Sequence, residues 1–131
     1  MAGRITEKES PDSAVGGPRW RFWPTVIATV VVATALFLPG PAVPDVGFDA
    51  AGVVVHFVLF AVWAAAVARD FPGLPLWRVA VAALAFAIAT ELGQMLAIER
   101  SFSTADIVTD VAGALAALLV VGYRRGRSCR E

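Results

Sequence analysis

Four apolar runs, cut apart by prolines, glycines and charges, constrain this chain more than any other feature. They cover residues 22–38, 50–68, 77–98 and 105–123. A helix of roughly 20 residues crosses a hydrocarbon core of about 30 Å, and in lipid each span must satisfy its own backbone groups. The runs therefore predict an all-α fold, a bundle of four transmembrane helices. Pro39-Gly40-Pro41 breaks the first run, and Arg69-Asp70-Phe71-Pro72-Gly73 ends the second. The connections are short, so neighbouring helices are expected to be antiparallel.

Composition points the same way. Hydrophobic residues make up 58% of the chain and charged residues 17%, against about 45–50% and about 25% in soluble domains. A length of 131 residues allows one domain. The formal net charge is zero, which leaves no electrostatic case for nucleic acid as a partner. Cys129 is the single cysteine, so there is neither a disulfide framework nor a CxxC metal pair. Its place, third from the end, does not fit prenylation. No phosphate loop, GxSxG elbow or HExxH motif is present, and no cofactor is expected.

Residues 1–21 are polar and hold Pro11, Gly16, Gly17 and Pro18, which reads as a disordered cytoplasmic tail. A membrane domain over 22–123 follows, then a basic cytoplasmic tail over 124–131. Arg19-Trp20-Arg21-Phe22-Trp23, just before the first run, has the mix of basic and aromatic residues found at a membrane interface. A cleavable signal peptide is the rival reading of that run. The long preceding tail and the prolines in the cleavage zone count against it. With four spans, Arg4, Lys8, Arg19, Arg21, Arg69, Arg78, Arg124, Arg125, Arg127 and Arg130 fall on one side and Arg100 alone on the other. The positive-inside rule then places both termini in the cytoplasm, in a multi-pass protein of the cell membrane.

Against this apolar background, Glu91, Gln94, Arg100, Asp106 and Asp110 crowd into one stretch. A charge at mid-bilayer costs about 2.5–3.5 kcal/mol on insertion scales, so such residues are either satisfied by one another or used. The helical rise puts His56 about 9 Å, Glu91 about 10 Å and Asp110 about 7–8 Å below the outer end of their spans. Three helices thus bring an ionisable group to one level. Glu91 and Gln94 share a face, as do Asp106, Asp110, Gly113 and Ala117. The small members of the second stripe let helix backbones approach closely.

Each of these residues also has a plain structural reading. Ser103-Thr104-Ala105-Asp106 resembles a capping box, with Asp106 favoured by the helix dipole. Glu91 can serve as polar glue between helices. His56 can be a structural histidine bonded to a carboxylate, and Arg100 can pair with Glu99, Asp106 or Asp110. A one-histidine metal site is disfavoured, and no metal is expected.

Taken in order, these residues resemble the VanZ-like family of small integral membrane proteins. The matching features are His56 early in the second span, Glu91-Leu92-Gly93-Gln94 late in the third, Arg100-Ser101 in the next loop, and Asp106-Ile107-Val108-Thr109-Asp110-Val111-Ala112-Gly113 opening the fourth. The resemblance covers roughly 48–121. Gly52 and Val53 stand where the family usually has Asp-Lys, and Asp110 where it usually has Asn. The resemblance implies a part in resistance to teicoplanin-type lipoglycopeptides, which act at the outer membrane face. The expected site is an outer-leaflet polar pocket of His56, Glu91, Gln94, Arg100, Ser101, Asp106 and Asp110. It would bind an amphipathic ligand: the lipoglycopeptide or a lipid-linked cell-wall precursor, with membrane lipids around it. A membrane enzyme acting on a lipid-linked substrate and a structural or assembly subunit are the alternatives.

Overall fold

The computed structural model describes residues 22–37, 50–97 and 103–128. The tail expected over 1–21, together with Arg100 and Ser101, lies outside the described residues. Four helices form: α1 (Trp23–Phe37), α2 (Ala50–Asp70), α3 (Leu76–Ala97) and α4 (Thr104–Ser128). The protein is all-helical, as the apolar runs require.

Three of the helices, α2, α3 and α4, are long and apolar enough to cross a membrane. This is the pattern of a multi-pass membrane protein. The first run, expected to span over 22–38, forms a helix of only 15 residues, about 22 Å at 1.5 Å per residue. Its length alone does not make a fourth span. A second difference concerns the C-terminus. The fourth helix was expected to end at Tyr123, with Arg124 opening a tail, but α4 continues through Arg124, Arg125 and Arg127 to Ser128. Arginine is a good helix former and its charge suits a helix C-terminus, so nothing there stops the helix.

Local chemistry explains the other ends. Pro24 sits in the first turn of α1, where a missing N–H leaves no intrahelical bond unmade. The chain leaves α2 with the Phe71 amide donating to the Val67 carbonyl at 2.9 Å. It then turns through Pro72-Gly73, and the Leu74 amide donates to the Phe71 carbonyl at 3.0 Å. Ser103 caps α4: its hydroxyl accepts the Asp106 amide at 3.2 Å and its carbonyl accepts the Ile107 amide at 3.4 Å.

Contacts between the ends set the helix directions. Thr25 at the start of α1 meets Asp70 at the end of α2. Gln94 near the end of α3 meets Leu36 near the end of α1. Near one end of the bundle His56 of α2 meets Asp110 of α4, and near the other Arg125 of α4 meets Ala68 of α2. Successive helices therefore alternate in direction, with α2 parallel to α4 and α1 parallel to α3.

Small residues make the core thin. Ala64, Ala68, Ala83 and Ala87 are fully buried, as is Phe60, and the Phe86 ring lies tilted against Phe60 and Trp63 with centroids 5.5 and 5.1 Å apart. The outer surface is apolar instead: Leu96 is 79% exposed and Leu119 74%. Polar groups inside and large apolar groups outside is the arrangement a lipid solvent favours.

Candidate functional site

The polar layer lies where α2 and α4 begin and α1 and α3 end. Its centre is a contact between two helices. His56 Nδ1 lies 3.0 Å from Asp110 Oδ1, and the two residues are 5% and 2% exposed. With the proton on Nδ1, the imidazole donates to the carboxylate, which sets the ring's orientation. The backbone explains why they meet. Gly113, one turn after Asp110, packs on the backbone of Phe57, the residue after His56. No side chain stands between the helices at that crossing.

Glu91 takes a different part. Its Oε1 accepts the backbone amide of Ser103 at 2.5 Å. A buried carboxylate of α3 thus sits on the N-terminal end of α4, where the helix dipole favours negative charge. Asp106 is half-buried in the first turn of that helix, its amide donating to Ser103. The Ser103 amide, which a capping box would direct to Asp106, donates to Glu91. Glu91 and Asp106 both lie within coulombic reach of Asp110.

Gln94 points the other way around the layer. Its Nε2 donates to the Leu36 carbonyl at 2.7 Å, tying α3 to the end of α1. Among the described residues, its buried Oε1 has no hydrogen-bond partner. A buried amide oxygen of this kind forfeits about 1–3 kcal/mol unless a donor reaches it.

The structure therefore brings His56, Asp110, Glu91 and Asp106 to one end of the bundle, with Gln94 one turn beyond Glu91. His56 and Asp110 touch directly, while Glu91 reaches α4 through its backbone. Among the described residues, no group of three or more His, Cys, Asp and Glu side chains is placed to hold a metal ion.

The sequence does not reveal two participants in the layer, nor a third buried contact at the opposite end of the bundle. Ser103 was read as a cap for its own helix, not as the donor to Glu91. The Leu36 carbonyl carries no side-chain signal at all. Asp70, read as a helix terminator, is buried and accepts both the amide (2.8 Å) and the hydroxyl (2.6 Å) of Thr25. The available signal was an acid at the end of an apolar run, opposite a helix start holding a threonine.

The layer offers an oriented imidazole–carboxylate pair, a second carboxylate and a buried amide oxygen near one end of an apolar bundle. Such a set can bind a polar headgroup or move a proton. Compared with family models, with curated proteins and with solved structures, the chain has no match.

Proposed function

We propose that this chain is a VanZ-like protein of the cell membrane that contributes to teicoplanin-type resistance, its polar layer binding an amphipathic ligand at the outer face. The ligand class is the lipoglycopeptide itself or a lipid-linked cell-wall precursor. The observation that carries the reading is the buried His56–Asp110 contact between α2 and α4. Two ionisable groups from separate helices meet beneath a helix terminus, and intramembrane ionisable residues are functional candidates by default. The ordered motif set from His56 to Gly113 supports the family assignment.

This reading includes four spans with both termini cytoplasmic. The arginine asymmetry supports it. So does the reach of α1, which runs from Asp70 at one end of the bundle to Gln94 near the other. A short span is accommodated by local thinning of the bilayer and by flanking residues such as Phe22 and Trp23.

The test uses Glu91→Gln and His56→Gln in a susceptible host, with membrane abundance measured alongside. Gln at position 91 can still accept the Ser103 amide but removes the charge, so it separates chemistry from capping. The expected outcome is loss of resistance at normal abundance. Unchanged susceptibility in both variants refutes the proposal. The imidazole–carboxylate pair also suits a membrane enzyme acting on a lipid-linked substrate. Turnover of a lipid-linked precursor by purified protein, abolished in His56→Gln, would select that reading.

A further inference from the structure

The opposite end of the bundle carries a second feature, on the lipid-facing side of the α1–α2 pair. A groove of about 230 Å³ runs there, lined by Pro24, Ile27, Ala28 and Val31 of α1 and by Leu59, Val62 and Ala66 of α2, among others. No polar side chain lines it. On α2 the lining residues Leu59, Val62 and Ala66 step by three and four, and the next step on that stripe is Arg69. Residues so spaced share one helix face. The apolar groove therefore leads to an exposed guanidinium at the helix end.

The charges around Arg69 leave it available. The neighbouring Asp70 is 4% exposed and its carboxylate is turned onto Thr25. Arg78 lies over the Trp77 ring, Arg127 over the Tyr123 ring, and Arg125 donates to the Ala68 carbonyl. Among the described residues, Arg69 has no hydrogen bond, ion pair or ring contact.

We infer that this groove is a binding site for one anionic glycerophospholipid, an acyl chain lying along α1 and α2 and the phosphate on Arg69. Charge complementarity selects the headgroup: a planar guanidinium with five donors matches phosphate oxygens. Size selects the tail. A helix about 10–12 Å across does not enter a cleft of this volume, whereas an acyl chain is the narrow object a bilayer supplies at that depth. The inference rests on the chain lying in a membrane and not on the polar layer at the other end.

The test is lipid retention by purified full-length protein in phosphatidylcholine nanodiscs titrated with phosphatidylglycerol, with bound lipid counted by native mass spectrometry. The wild type is expected to retain phosphatidylglycerol in preference. Arg69→Gln should weaken that preference about fivefold, the effect of one arginine near an anionic surface, and Arg69→Lys should restore most of it. Val62→Trp, at a position 56% exposed and so tolerant of bulk, should lower retention of both lipids. Equal retention of the two lipids by the wild type overturns the inference, as does indifference to Arg69→Gln and Val62→Trp together. A cross-linked dimer that is lost in Val62→Trp also overturns it, because a second copy would then cover the groove. Glu91→Gln should leave the lipid preference unchanged, which keeps this result separate from the resistance phenotype.

Discussion

Replacing Gly113 with alanine tests the packing on which the polar layer depends. A methyl group there would collide with the Phe57 carbonyl oxygen and lie 2.9 Å from its carbon and 3.0 Å from its Cα, where ordinary contact begins at 3.4 Å. These are backbone atoms of α2 and cannot rotate aside. Relieving the contact with the carbon alone needs an opening of 0.5 Å, the gap between 2.9 and 3.4 Å, and the closer contact with the carbonyl oxygen needs more. Carried one turn to the His56–Asp110 contact, that opening takes 3.0 Å beyond about 3.5 Å, the outer limit of a hydrogen bond. Overpacking costs about 1–3 kcal/mol and a lost interhelical bond about 0.6–1.7 kcal/mol. Alanine's better helix propensity returns about 1 kcal/mol. The net expectation is a loss of about 0.6–3.7 kcal/mol. Reversible unfolding in detergent, titrated with a denaturing surfactant, measures it. Gly52→Ala is the control, because nothing lies within 4 Å of a Cβ there, and it should be neutral or mildly stabilising. If Gly113→Ala unfolds at the same surfactant fraction as Gly52→Ala, the close crossing of α2 and α4 is not real and the argument for the polar layer fails with it.

Two further outcomes are expected. Asp70→Ala removes the acceptor of both Thr25 donors at the start of α1 and should cost about 1–3 kcal/mol, in the range of a lost helix cap plus a hydroxyl bond. An unchanged melting temperature would contradict the Thr25 contact. A double-mutant cycle on His56→Gln and Asp110→Asn should give a coupling of about 0.6–2 kcal/mol, and additivity within error would mean the two side chains do not interact.

The helices were legible because lipid-spanning segments must be apolar along their whole length. Trp23–Phe37, Ala50–Asp70, Leu76–Ala97 and Thr104–Ser128 each begin and end within a few residues of a visible apolar run, apart from α4. Its extension was missed because charge was read as a stop signal, although arginines prolong a helix once it has left the apolar layer. That the acids and the histidine lie at one level also followed from the rise per residue. Which of them touch did not follow. Rise fixes height along an axis, whereas contact depends on how each helix is rotated and how closely it is crossed.

That division runs through the molecule. Hydropathy and helical periodicity, read from the residues in order, were enough to establish an all-helical chain with His56, Glu91, Asp106 and Asp110 near one end. Only the packed bundle decided that His56 meets Asp110, that Glu91 sits on the end of α4, that Gln94 reaches a main-chain carbonyl of α1, and that Asp70 holds α1 by its first turn. The reason is that three of these four contacts use a backbone group and the fourth depends on a glycine's missing side chain. A backbone amide or carbonyl is the same at every residue, so its partners are selected by geometry alone.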